Sequence, residues 1–117
     1  MRACPPTVQG GRQIAESLLK AHPEISALFC FNDMVAIGAL QASRELGLDV
    51  PRDLAIVGYD DIPMAALVTP ALTTVRVEVE DMGRIATQLL IDRLEGCAQG
   101  CENILTQPEL VVRASAI

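Results

Sequence analysis

The stretch ISALFCFNDMVAIGALQASRELG, residues 25–47, decides the fold. Residues 25–31 are almost continuously apolar and lie between Pro23 and Asn32, the pattern of a strand covered on both faces in a parallel sheet. The period then changes. Val35, Ala36, Ala39 and Leu40 recur at helical spacing across residues 34–46, with Asp33 placed to cap the start and Gly47 to stop the end. A polar pair, Asn32 and Asp33, therefore stands at the carboxyl end of a strand and the entrance to a helix.

Working toward the C-terminus, residues 48–53 form a turn containing Pro51. Residues 54–57 make a second apolar strand, and Gly58, Tyr59, Asp60 and Asp61 follow its carboxyl end. The helix between the two strands has the length a right-handed crossover needs, so the region reads as a βαβ unit with adjacent parallel strands. Both acidic tips then share one edge of the sheet. In open α/β sheets ligands bind just beyond the carboxyl ends of strands, which makes Asn32, Asp33, Asp60 and Asp61 the candidate site residues. Asn32 and Asp60, at the strand tips, are expected to touch a ligand. Asp33 and Asp61 are expected to serve as helix or turn caps, because Asp at such positions commonly accepts backbone amides.

Residues 1–10 read as an irregular lead, and residues 11–21 as an amphipathic helix with Ile14, Ala15, Leu18 and Leu19 on one face, ended before Pro23. Residues 62–72, with Pro63 and Pro70, read as irregular. Val75, Val77 and Val79 alternate with Arg76 and Glu78 in the period of an extended segment. Residues 80–95 make the clearest helical pattern, with Met82, Ile85, Ala86, Leu89, Leu90 and Leu94 on one stripe and Gly96 beyond. Residues 110–113 read as a final strand after Pro108.

At 117 residues, half of them hydrophobic and 21% charged, the chain has the material for one globular α/β domain. A net charge of −6 and 3% aromatics argue against nucleic-acid binding by this chain alone, since phosphate contacts need Lys and Arg, and stacking needs rings. No apolar run is long enough to span a bilayer, and residues 1–11 lack the core of a secretory signal, so a cytoplasmic protein is expected. Cys4, Cys30, Cys97 and Cys101 are expected as reduced thiols. One histidine, His22, at a helix end, and the spacing of Cys97 and Cys101 fit no metal site; the dipole at a helix C-terminus favours His22 as a cation. Neither a phosphate-binding loop nor a dinucleotide fingerprint is present, and no Ser, His and Asp constellation forms, so neither a cofactor nor catalysis is expected.

FCFNDMVAIGALQA (29–42), GLDVPRDLAIVGYDDIP (47–63), PALTTV (70–75) and PELVVRAS (108–115) occur together in one order and spacing. In this combination the chain resembles the lactose- and galactose-repressor (LacI/GalR) family of bacterial transcription regulators, across residues 11–115. The resemblance implies the C-terminal part of the effector-binding core. That core has a two-lobed periplasmic-binding-protein-like (type I) fold, and here it would be an incomplete three-layer, parallel-sheet lobe. On that analogy residues 11–72 belong to the C-terminal lobe and residues 73–103 to a crossover strand and helix of the other lobe. Residues 104–117 would be a return strand.

The resemblance also implies site roles. Asn32 and Asp60 would bind hydroxyls of a sugar or similar small-molecule effector, with Val79 as an apolar wall. An ionised Asp accepts neighbouring hydroxyls in charge-assisted bonds, while an Asn amide both donates and accepts. Val35, Ala39, Met64, Leu67 and Val68 would face a partner in a homodimer, or else serve simply as core residues. DNA would be contacted only through a helix-turn-helix headpiece that these residues do not include. The stripe of the 80–95 helix would be left exposed, which implies self-association, with or without exchange of that helix between copies. Two alternatives accompany this reading: a periplasmic sugar-binding component of a transporter, and a truncated remnant acting only through self-association.

Overall fold

A computed structural model describes residues 3–96 and 103–117 of the chain. Cys97 and Cys101 lie outside the described residues, so the expectation about their thiols is not addressed; Cys4 and Cys30 are free thiols. Two compact units form: Met1–Arg76 with Glu109–Ile117, and Val77–Pro108. The first holds α1 (Val8–Ala21), β1 (Ala27–Phe29), α2 (Asp33–Glu45), β2 (Ala55–Asp60), α3 (Pro63–Leu67), β3 (Thr73–Arg76) and β4 (Glu109–Val111); the second holds α4 (Val79–Leu94).

The sheet runs β1-β2-β3-β4. β1 and β2 pair in parallel, as the crossover argument requires, and β2 and β3 continue the parallel set, while β4 joins β3 antiparallel. Leu54 and Ile56 on one face of β2 are fully buried together with Leu72. α2 packs on that face and α1 packs on α2. Gly38 permits the closest helix approach, since a Cβ there would come within 2.1 Å of the Val8 carbonyl oxygen. The end of the chain closes the sheet from below: the Ser115 hydroxyl donates to the Ile56 carbonyl (2.6 Å) and accepts from the Thr73 amide (2.8 Å).

Several expectations are corrected. The lead is helical from Val8, because Thr7 caps α1 by accepting from the Gly10 amide at 3.0 Å. β1 is shorter than expected and is not covered on both faces. Leu28 and Cys30 face the core, whereas Phe29 and Phe31 on the opposite side are 71% and 77% exposed at the edge of the sheet. β2 runs through Gly58 and Tyr59 to Asp60, since its ladder with β3 extends to the Asp60–Arg76 pair. Residues 63–67 form a helix turn started by Pro63, a residue whose fixed φ suits the first helical position. β3 belongs with the first unit, pairing with β2, and the alternation at residues 75–79 breaks where Val79 opens α4.

For Val35 and Ala39 the second of the two expectations, core residues, is the one that fits: they are 7% and 1% exposed within the core under α1. Met64 and Leu67 on α3 are 42% and 79% exposed, and Val68 is half-buried. Of the α4 stripe, Met82, Leu90 and Leu94 are exposed, as the resemblance implied, while Ile85 and Leu89 are half-buried; Ile91 beside them is exposed too.

Candidate functional site

β1 and β2 end side by side, and the residues that follow them meet at one edge of the sheet. Asn32 and Asp33 stand after β1, Asp60 ends β2 and Asp61 follows it. The four side chains divide the work differently from the sequence-based expectation. Asn32, not Asp33, caps α2: its Oδ1 accepts from the Val35 amide at 2.9 Å, the i to i+3 bond of an N-cap. Its Nδ2 makes no hydrogen bond among the described residues, so Asn32 caps the helix with one end of its amide and keeps a donor at the sheet edge.

Asp33 is the first helical residue and fully buried. Its Oδ2 accepts from the Ile62 amide (2.9 Å) and its Oδ1 from the Thr74 hydroxyl (2.5 Å). A buried carboxylate is tolerated only when its oxygens are bonded, and here they tie α2 to β3 and to the segment after β2. Gly58 leaves it room, since a Cβ there would lie 2.2 Å from the Asp33 Oδ1. The expected capping role of Asp33 is thus replaced by a cross-link between distant segments.

Asp61, the other expected cap, is an ion-pair centre. Arg76 Nε donates to its Oδ2 at 2.7 Å and Arg113 Nη2 to its Oδ1 at 2.7 Å, with the Asp61 side chain only 7% exposed. Burial pushes its carboxyl up, but the hydrogen bonds and charges of Arg113 and Arg76 outweigh that and hold it below the ordinary carboxylate value. Arg113 and Arg76 carried no signal in the sequence reading. Their partner lies 52 and 15 residues away, and only the fold brings them together.

Asp60 is the remaining member. Its carboxylate accepts no hydrogen bond and forms no ion pair among the described residues, although the residue is partly buried. Burial and the neighbouring Asp33 charge push its carboxyl above the ordinary value. Its backbone sits at φ 109°, a conformation that costs a non-glycine residue on the order of 1–3 kcal/mol and that clusters at ligand sites. Phe31, immediately before Asn32, is an exposed aromatic residue that the sequence reading had not singled out.

Val79, the third expected contact, opens α4 in the other unit, where it is 64% exposed. A shallow groove of about 290 Å³ lies along the C-terminal half of α2, lined by Ile37, Leu40, Gln41, Arg44, Val68 and Thr69. It holds no carboxylate and lies away from the helix start, so the sheet edge with Asn32 and Asp60 is the stronger candidate for recognising a polar ligand. Among the described residues no three His, Cys, Asp or Glu side chains gather in a metal-binding arrangement.

Strands β1 to β3 run parallel and bring the Asn32 amide and the Asp60 carboxylate, which has no partner among the described residues, to their carboxyl edge, the edge at which open α/β sheets commonly bind ligands. Residues 2–116 match the periplasmic binding protein-like domain. The chain is 42% identical over 109 residues to the HTH-type transcriptional regulator MalR of Streptomyces coelicolor, covering 93% of this chain and 31% of that protein. It is 40% identical over 106 residues to a lactose operon repressor of Rhizobium radiobacter, covering 91% of this chain and 93% of that one. Among solved structures, a LacI family transcriptional regulator from Arthrobacter sp. FB24 in complex with lactose superposes with a TM-score of 0.87 at 33% identity, over 97% of this chain and 43% of that one. The chain belongs to the periplasmic-binding-protein-like domain family, on its LacI/GalR transcription-regulator branch. It spans about a third of the length of MalR.

Proposed function

We propose that this chain is the effector-sensing part of a LacI-type transcription regulator. It is a non-enzymatic module of the cytoplasm that binds a small sugar or polyol-like metabolite at the edge formed by Asn32 and Asp60. The observation that carries the reading is the Asp60 carboxylate, partly buried, raised in pKa and without a donor among the described residues. A hydroxyl-rich ligand supplies the missing donors, and Asn32 Nδ2 donates to a hydroxyl oxygen beside them. Phe31 offers the apolar surface that a sugar ring's C–H face needs. In the regulator, effector binding shifts a two-state equilibrium that is read out through DNA contacts made by a headpiece. Val79, the expected apolar wall, opens α4 in the other unit, and the proposal rests on Asn32 and Asp60 with Phe31 beside them.

Calorimetric titration of the chain with a panel including lactose, cellobiose and ribose tests this. At least one sugar is expected to bind saturably, with Asp60→Ala weakening it by about tenfold or more, the loss of about 1.5–3 kcal/mol that hydrogen bonds to a charged group carry. Absence of binding across the panel, or affinity indifferent to Asp60→Ala, would overturn the assignment.

Self-association is a second element of the proposal, supported by exposed apolar side chains on α3 (Met64, Leu67) and α4 (Leu90, Leu94). Light scattering at micromolar concentration should report a dimer or larger species. A strict monomer contradicts this part while leaving the effector site standing.

A further inference from the structure

The end of β2 holds two consecutive non-glycine residues at positive φ, Asp60 at 109° and Asp61 at 55°. Such a backbone persists only where the surroundings over-determine it. Contacts from three distant parts of the chain do so here. Arg76 and Arg113 both donate to the Asp61 carboxylate at 2.7 Å. Arg113 is itself anchored, its Nη1 donating to the Leu72 carbonyl (2.8 Å) and its backbone amide to the Thr73 hydroxyl (2.8 Å). On the far side of the turn the Ile62 amide donates to Asp33 Oδ2 at 2.9 Å. Residues 61 and 62 are therefore tied down, while the side chain of Asp60, the last residue of β2, is left without a partner among the described residues.

We propose that Asp61, Arg76 and Arg113 are positioning residues for the effector site. They hold the turn so that Asp60 keeps the backbone conformation in which its carboxylate is available to a ligand. The Asp61 carboxylate, 7% exposed and occupied by two arginines, takes no part in contacting the ligand itself. This rests on the reading of Asp60 as the effector contact. It adds that the C-terminal segment carrying Arg113 sets the affinity of a site it does not touch. Apparent affinity scales with the fraction of molecules in the competent conformation, so a clamp whose loss leaves about a tenth of them competent weakens binding about tenfold.

The test uses Arg113→Met and Asp61→Asn in the full chain, with two readouts. The first needs no ligand: the three-bond amide-to-Hα coupling and local nuclear Overhauser contacts of Asp60, which report its φ. Both variants are expected to shift these at Asp60 while Ala55 and Ile56 keep theirs. An unchanged Asp60 overturns the proposal whether or not any sugar binds. The second is affinity for the best-binding sugar of a lactose, cellobiose and ribose panel, measured for Arg113→Met alone and combined with Asp60→Asn. A residue acting through Asp60 weakens binding about tenfold in the wild-type background and adds nothing in the Asp60→Asn background. Equal weakening in both backgrounds overturns the proposal in favour of a general structural role. Arg113→Lys, which keeps the charge and most of the stem, replaces Arg113→Met if that variant does not fold. Should the wild-type chain bind none of the sugars, the effector reading falls, and the Asp60 coupling alone decides whether the clamp holds the turn.

Discussion

Helix α2 runs 13 residues and buries nine of them, whereas α4 runs 16 residues and buries none. Both are amphipathic by sequence, and both form where the periodicity places a helix. What separates them is the company each keeps within its own unit. α2 carries Ala36, Gly38, Ala39 and Ala42 at its contacts, small enough for α1 to lie close on one side while β2 lies on another. α4 carries Met82, Leu90, Ile91 and Leu94, large apolar groups that remain exposed. Helical periodicity thus reports a face that is able to be buried; the burial itself depends on a second surface.

That comparison breaks most visibly at core positions. Ile56→Ala, at a fully buried residue beneath α2, should cost about 2–5 kcal/mol in urea denaturation. Leu90→Ala, at a residue 59% exposed on α4, should fall within about 0.5 kcal/mol when the chain is dilute enough to be monomeric. A loss at Leu90 that grows with protein concentration would mean that α4 is covered by self-association, and a large loss in the dilute monomer would contradict the contrast.

One substitution made in both helices sharpens the contrast, because its sign should reverse. Gly38→Ala drives a methyl into the backbone of α1, with the Val8 carbonyl oxygen at 2.1 Å and the Arg12 amide nitrogen at 2.5 Å, and overpacking of this kind costs about 1–3 kcal/mol. Gly83→Ala in α4 meets nothing within 4 Å and gains helix propensity, so it should stabilise its helix by about 0.8–1 kcal/mol. Circular dichroism during thermal unfolding reads both.

The smallest effect separates two neighbouring carboxyls by pH. Asp61 is held below its ordinary value, so its contribution is present above the unfolded-state value of about 3.9 and is lost as pH falls through the folded value beneath it. Asp60 is held above its ordinary value, so lowering the pH through that raised value relieves the fold instead. Denaturation midpoints from pH 7 to pH 3 should therefore rise slightly before they fall. Asp60→Asn should remove the rise, and Asp61→Asn should reduce the fall, which Glu16, Glu24 and Asp53, also held below their ordinary values, share. Effector affinity should decline over the Asp60 limb, since the neutral carboxyl forms weaker hydrogen bonds to hydroxyls than the ionised one.

The placement of the candidate site residues was legible in the sequence, and for a physical reason. A strand followed by a helix must place its polar junction at the sheet's carboxyl edge, so the position of Asn32 and Asp60 at that edge followed from local pattern. The exchange of roles between Asn32 and Asp33 was not legible. An N-cap requires only a side-chain oxygen reaching the amide three residues on, and both residues possess one. Asp33 is drawn inward by Thr74 and Ile62, 41 and 29 residues away, which no periodicity encodes. The same is true of Asp61, whose arginine partners are set by the register of β2 with β3 and by the course of the chain after β4. At residues 75–79 the alternation of valines was a true strand signal as far as Arg76. Beyond it Glu80 and Asp81 in the first turn favour a helix, and Val79 joins α4.

The most direct measurement is the titration midpoint of the Asp60 carboxyl, followed by carbon-detected NMR with and without a saturating concentration of the tightest-binding sugar of the panel. If sugar hydroxyls donate to the ionised carboxylate, the midpoint begins above the ordinary Asp value and falls on binding. A sugar that saturates the chain while the Asp60 midpoint stays in place would contradict the assignment of the effector to this edge.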